Sequence, residues 1–188
     1  MKLYHVGFEI IKNPDIKHGR KNADFGQGFY LSPNHDFSLR WARVSKDSNT
    51  YINTYELDTT NLKIKEFKRD KEWFSYIFNN RNNHEDKLND YDVIIGPIAN
   101  DTIYNTWGIL TSGLVNKDKA LEVLQAGNEY YQVTIKTVKA ANNLKFISAD
   151  ILNLDEIKKN QVDVINEESN YQDLMLEILG EEIKDILD

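Results

Sequence analysis

The chain contains no cysteine, which excludes a disulfide framework and a thiolate zinc site and makes a reducing cytoplasm the expected location. It also lacks any run near the ~20 apolar residues of a membrane span. Met1 is followed by Lys2-Leu3-Tyr4-His5-Val6-Gly7, with no apolar stretch of signal-peptide length, so neither insertion nor standard secretion is expected. Histidine is scarce: His5, His18, His35 and His84 show no two-histidine helical spacing, and no metal site is expected. Gly-x-Ser-x-Gly and Gly-x-x-x-x-Gly-Lys are both missing, which removes support for a nucleophile-elbow hydrolase and a P-loop. Gly26-Gln27-Gly28 lacks the third glycine and the helix opening of a dinucleotide fingerprint.

What is present is enough for one core. The 188 residues are 40% hydrophobic and 11% aromatic, which fits one domain plus a tail. The net charge of −7 is uneven. From Asp150 to Asp188 there are 12 acidic residues against Lys158, Lys159 and Lys184, a balance of −9, leaving +2 on the first 149 residues. Residues 1–149 therefore read as the folded body and 150–188 as an acidic amphipathic helical tail. A run of like charge is usually a solvated face, and shielding of a basic site or contact with a partner is the alternative.

Alternation predicts strands at Lys2–Val6, Thr50–Leu57, Leu62–Phe67, Tyr91–Pro97, Tyr130–Thr137 and Leu144–Ile147. Asn34 is placed to cap a helix running through Val44, and Asp70 one over Lys71–Asn80 with Trp73 and Ile77 inward. Further helices are expected at Asp101–Leu110, at Lys117–Gln125 ending on Gly127-Asn128, and in the tail. In the tail Tyr171, Leu174, Met175, Ile178 and Leu179 recur at three- and four-residue spacing.

The candidates for chemistry sit in these strands and their loops. His5, beside Gly7 at a strand end, can exchange a hydrogen bond with a ribose hydroxyl, unless its ring is satisfied by backbone. Gly26 and Gly28 allow the backbone near a flat ligand on which Phe29 or Tyr30 stacks, worth roughly 1 kcal/mol, unless they form a turn into core aromatics. Gln132 shares a face with Tyr130, Thr134 and Lys136, while Glu129, Tyr131, Val133 and Ile135 take the other. Val133 and Ile135 mark that second face as the core side, so Gln132 is better placed than Glu129 to meet a ligand. Arg20 and Arg40 flank the Gly26 segment and suit a pyrophosphate; Lys21 and Arg81 are weaker candidates.

In order along the chain, Leu3-Tyr4-His5, Asp24-Phe25-Gly26-Gln27-Gly28-Phe29-Tyr30, Arg40-Trp41-Ala42, Asn80-Arg81, the Tyr91 to Asp101 string and Gln132 to Thr137 resemble a bacterial family, domain of unknown function 3990. That family looks like a divergent branch of the ADP-ribosyltransferases, and the resemblance covers about residues 1–148. It implies an α+β, ADP-ribosyltransferase-like fold with split antiparallel and mixed β-sheets, flanking helices and a C-terminal helical tail. It also implies NAD as substrate without a metal, with His5, Val6, Gly7, Arg20, Gly26, Gly28, Phe29, Tyr30 and Arg40 around it. The superfamily's His-Tyr-Glu trio falls on His5, Tyr30 and Gln132. Val6 stands where glycine is usual and Gln132 where glutamate is usual; Glu129 resembles the strand opening of the poly-ADP-ribose polymerase branch.

The implied activity is transfer of ADP-ribose to a macromolecule, in a bacterial toxin or phage-defence effector restrained by an antitoxin or regulatory partner, through the C-terminal helix if that helix is a docking surface. The alternative is an inactive NAD- or ADP-ribose-binding module acting through a partner. An amide at 132 can hold a ribose hydroxyl but offers only a dipole to a developing cation. The acceptor, protein or nucleic acid, stays open: Lys63, Lys65, Lys68, Arg69 and Lys71 can track a phosphate backbone or form a solvated face.

Overall fold

Alternating side chains and short turns produce two separate sheets rather than one. The structure, a computed structural model, describes residues 1–99 and 116–187, with the side chains of all but Lys117 and residues 181–187. The helix expected over Asp101–Leu110 lies outside the described residues. In chain order the elements are β1 (Lys2–Gly7), β2 (Phe29–Leu31), α1 (His35–Ser38), β3 (Tyr51–Leu57), β4 (Ile64–Glu66), α2 (Lys71–Arg81), β5 (Val93–Pro97), α3 (Lys117–Gln125), β6 (Tyr131–Ile135), α4 (Val138–Asn142), β7 (Leu144–Ile151) and α5 (Leu154–Leu187).

One sheet has the order β1-β3-β7 and is antiparallel throughout. The other has the order β2-β6-β5-β4, with β4 and β5 parallel and the remaining pairs antiparallel. A single bridge joins β1 to the second sheet: Tyr4 and Ser32 exchange backbone bonds of 2.9 and 2.8 Å. Beside it Leu3, Tyr55 and Leu57 from the first sheet pack on Phe29, Leu31, Val133 and Ile135 from the second, and this is the main core.

The chain divides into two compact units. Residues 1–97 and 131–161 make the first, which holds both sheets; residues 98–130 and 162–188 make the second. In the second unit Tyr171, Met175 and Leu179 form a buried seam one helical turn apart, and the Tyr171 hydroxyl donates to the Val123 carbonyl at 3.1 Å. Leu174, expected on that stripe, is 40% exposed. Hydrophobic spacing at three and four residues admits two neighbouring stripes, and only packing selects between them.

Several boundaries differ from the sequence expectation. The helix capped by Asn34, whose Oδ1 accepts from Phe37 N at 2.9 Å, ends at Ser38 and continues as a 3-10 turn only to Trp41. Ala42 is already extended, and Thr50 Oγ1 donates to the Arg43 carbonyl at 2.5 Å, engaging a carbonyl that helix continuation would use. Strand β7 runs to Ile151, past residue 149, because it pairs with β3 from Leu144 to Ile151, with one register shift that leaves out Ile147. Helix α2 follows its expected cap: Asp70 Oδ1 accepts from Glu72 N and Trp73 N, both at 3.0 Å. Its buried side carries Tyr76 and Asn80 as well as Trp73 and Ile77, and that polar content matters below.

Asp92 ties the second sheet to its edges. Its carboxylate accepts from Lys63 N at 2.8 Å, from the Thr137 hydroxyl at 2.6 Å and from Lys139 Nζ at 3.1 Å. Burial opposes ionisation, but these donors outweigh it and hold the carboxyl below the usual carboxylate range. The sign follows from a depressed folded value. The stabilisation is present above the unfolded pKa of about 3.9 and is lost as pH falls through the lower folded value. Asp92→Ala is expected to cost about 1.5–3 kcal/mol at pH 7 in urea unfolding, with the difference from wild type shrinking below about pH 4.

Candidate functional site

Strand β1 presents His5 where the two sheets meet. The His5 ring lies 4.7 Å from the Phe29 ring at a 36° tilt, and Nδ1 is 2.9 Å from the Tyr30 carbonyl oxygen. A carbonyl only accepts, so Nδ1 carries the proton. Burial lowers the His5 pKa, against a smaller opposing effect of that backbone bond. The neutral ring therefore keeps a lone pair on Nε2. Gly7 flanks that atom: a Cβ added there would stand in ordinary contact with Nε2, at 3.6 Å. Val6 pairs with Ile52 in the ladder and is half-buried.

The buried Asn53 side chain holds the chain leaving β1, accepting from Ile11 N at 2.9 Å and donating to the Glu9 carbonyl at 3.0 Å.

Tyr30 points the other way from Phe29, as successive strand residues must. Its hydroxyl donates to the Gly26 carbonyl at 2.7 Å and accepts from Phe25 N at 2.9 Å. Burial, reinforced by the Asp24 carboxylate, raises its pKa far above the ordinary tyrosine value, so it stays a phenol. The hydroxyl thus closes the Phe25-Gly26 turn on which the segment depends. Phe29 is a core side chain, 8% exposed, and supports His5 rather than meeting solvent.

The glycines serve close packing inside the protein. Gly26 has φ +75°, and a Cβ there would collide with the Asp86 carboxylate. A Cβ on Gly28 would stand 2.6 Å from the Ile135 carbonyl oxygen, a backbone atom that cannot move aside. These glycines bring the backbone up to β6 and to the loop around Asp86. Gln27 donates to the Lys17 and Gly19 carbonyls at 2.7 and 2.9 Å and closes the preceding loop.

Strand β6 is buried on both faces, whereas the sequence pattern marked only the Val133 and Ile135 side. Gln132 is 9% exposed and Thr134 fully buried. They face α2 and the Asp24 turn, where polar groups make a second interior. Gln132 Nε2 donates to Asp24 Oδ2 at 3.3 Å. Arg81 Nε and Nη2 both reach Asp24 Oδ1, at 2.8 and 2.7 Å, with each side chain 9% exposed. Asn80 Nδ2 donates to the Asp24 carbonyl at 2.9 Å. Alongside, Lys136 Nζ bonds Asp86 and donates to the Phe25 carbonyl at 2.7 Å, and the Tyr76 hydroxyl donates to Asp86 at 2.7 Å. Burial lowers the Lys136 pKa against the pull of Asp86.

Of the sequence candidates, His5 and Phe29 pack together on one face, whereas the Tyr30 and Gln132 side chains lie on the other, with Tyr30 opposite Thr134 and Gln132 bonded to Asp24; Gly26 and Gly28 precede β2. Arg20 is exposed in the connection after β1, and Arg40 is half-buried with its guanidinium 5.6 Å from the Phe37 ring centre. Glu129 is exposed, precedes β6 and belongs to the second unit. Sequence reasoning passed over Asp24, Asp86 and Lys136 as charged partners. Only the recurrence of polar residues on the second faces of α2 and β6 hinted at them. In the basic run, Lys65 pairs with Glu72 at 2.5 Å and Lys63 pairs with Asp90, which offsets part of its charge.

The class so defined is an α+β protein with one antiparallel and one mixed sheet, joined at Tyr4 and Ser32, and a C-terminal helix. Among the described residues no helix is long and apolar enough to cross a membrane. The chain belongs to the family described as protein of unknown function DUF3990, whose model matches residues 1–146. No curated protein matches it.

Proposed function

We propose that this chain has an ADP-ribosyltransferase-like fold, binds NAD beside His5, and transfers ADP-ribose to a macromolecular acceptor. In that reaction the bond from ribose C1′ to the nicotinamide nitrogen breaks, nicotinamide leaves with the electron pair, and a nucleophile of the acceptor attacks C1′ and loses its proton. The observation that carries the reading is His5: a neutral imidazole pinned through Nδ1 to the Tyr30 carbonyl, with Nε2 making no hydrogen bond among the described residues and glycine beside it. This suits an acceptor for a ribose hydroxyl. The split of the strands into two sheets that meet at Tyr4 and Ser32, next to His5, supports the same reading. A bacterial toxin or phage-defence effector in the cytoplasm, restrained by a partner, is the setting we propose with it.

One observation favours a second reading, a module that binds NAD or an ADP-ribose compound without turnover. Gln132, the position to which the resemblance assigns the third residue of the trio, is uncharged and bonded to Asp24. No carboxylate at that position stabilises a developing oxocarbenium ion. Incubation with NAD labelled on the adenosine portion and a whole-cell lysate separates the readings. Transferase activity is expected to leave label on protein or nucleic acid with equimolar nicotinamide released. Bound but intact NAD selects the module, and no measurable NAD binding overturns both.

A further inference from the structure

We infer that Tyr51 is a binding residue of the site at His5, its ring stacking on the flat base attached to the ribose that His5 holds. The inference rests on the NAD reading above and adds to it the wall against which that base lies.

The strand register carries the placement. Gly7 pairs with Tyr51 and His5 with Asn53 along an uninterrupted antiparallel ladder. Residues opposite each other across two strands share a face, and so do residues two apart on one strand. Leu3, His5 and Gly7 therefore share a face with Tyr51, Asn53 and Tyr55. Ring contacts agree, since His5 and Tyr55 both meet Phe29, with centroids at 4.7 and 5.8 Å. Tyr51 is the diagonal neighbour of His5 on that face, about 7–8 Å away between backbones, a gap that an aromatic side chain spans. The residue opposite Tyr51 is glycine, and the place its Cβ would take lies 3.6 Å from His5 Nε2. No side chain of Gly7 stands between the imidazole and the tyrosine.

Of the side chains that β3 places beside His5 and along this face, Tyr51 is the one left uncommitted. Asn53 and Tyr55 are fully buried: Asn53 bonds Glu9 and Ile11, and the Tyr55 hydroxyl donates to the Ile11 carbonyl at 2.7 Å. Tyr51 is half-buried, and its side chain makes no hydrogen bond and no ring contact among the described residues. On its other side it pairs with Ile151, which is 61% exposed. With Phe8, Leu152 and Leu154 it lines an open cleft of about 670 Å³, a volume within the roughly 300–1,000 Å³ of small-molecule sites. Tyr51 thus belongs both to the His5 face and to a cleft that a ligand can enter. Every base has a π face, so an accessible ring with no prior engagement is what stacking requires.

Calorimetry on the full chain with NAD, ADP-ribose and nicotinamide mononucleotide tests this. Tyr51→Ala and Tyr51→Leu are expected to weaken NAD binding about tenfold or more, while Tyr51→Phe, which keeps the ring, stays within about threefold of wild type. Tyr51→Leu keeps apolar bulk on the strand and carries the test if Tyr51→Ala does not fold. A loss shared with ADP-ribose assigns the stacked base as adenine, and one shared with nicotinamide mononucleotide assigns it as nicotinamide; either supports the inference. Tyr51→Leu that binds NAD within about threefold of wild type overturns it. So does Tyr51→Phe as weak as Tyr51→Leu, because the hydroxyl and not the ring is then the contact. His5→Ala separates the two levels of the argument: if it abolishes NAD binding while Tyr51→Leu changes nothing, the NAD reading stands and the role of Tyr51 falls. Wild-type protein that binds none of the three ligands overturns the NAD reading, and the inference with it.

Discussion

Arg81→Met is expected to destabilise the protein by about 3–5 kcal/mol, which for a chain of this length lowers the melting temperature by roughly 10 °C. The reason is the partner it abandons. Asp24 is 9% exposed, and Arg81 supplies two bonds to its Oδ1 at 2.8 and 2.7 Å. Removing the cation leaves a buried carboxylate with the Gln132 amide at 3.3 Å as its remaining side-chain donor among the bonds described here. Arg81→Lys is expected to recover little, because one ammonium cannot reproduce two convergent guanidinium bonds. The companion protein Asp24→Leu/Arg81→Met separates lost attraction from stranded charge. With neither ion present most of the loss should return, since a buried pair contributes modestly beyond an apolar replacement of similar size. Urea unfolding of the four proteins checks this, and a companion as unstable as Arg81→Met alone would contradict it.

His5→Ala is expected to lower nicotinamide release about 100- to 1000-fold while costing the fold only about 1–2 kcal/mol. The catalytic share comes from one preorganised hydrogen-bonding group at the sugar; the structural share is the bond to the Tyr30 carbonyl and the contact with Phe29. The pH dependence has a definite sign. Burial keeps the ring neutral and its pKa below the usual 6.5, so release should persist below that pH and its acid limb should lie lower than an ordinary histidine would give. Stability behaves oppositely to a histidine that gains a partner. As pH falls below about 6.5 the unfolded chain takes up the proton first, so the folded state loses ground until its own lower pKa is reached. His5→Ala should lack both features, and a wild-type acid limb above pH 6.5 would contradict the assignment.

Much of the first unit was legible because local rules had no competitor. Asn34 and Asp70 cap the helices that begin at His35 and Lys71, their side chains accepting from backbone amides that the first turn leaves unpaired. The apolar run at Val93 became a buried strand. Legibility failed where two interiors compete for one strand. Periodicity marks an apolar face and a polar face, and a polar face is read as solvated. On β6 the polar face is buried too: Gln132 bonds Asp24, and Lys136 just past the strand bonds the Phe25 carbonyl and Asp86, while Thr134 Oγ1 is buried without a hydrogen-bond partner among the described residues. Asp24 stands 108 residues away from Gln132 in the chain, and no pattern within a window of one helix or strand registers it. The short helix at His35 failed for a related reason, since the bond from Thr50 that engages the Arg43 carbonyl comes from the next strand.

By itself the sequence determined the kinds of elements, most of their caps, the candidate His5, the segment through Tyr30, and membership of one family across residues 1–146. These are consequences of neighbouring residues, or of strings that stay intact whatever surrounds them. The tertiary structure decided that Gly26 and Gly28 answer to β6 and the Asp86 loop, that the Tyr30 hydroxyl closes its own turn, and that Gln132 looks to Asp24. The physical reason is desolvation. Once a polar group is buried its partner must be supplied, and which partner arrives depends on chain segments that only the fold brings within 3 Å or so.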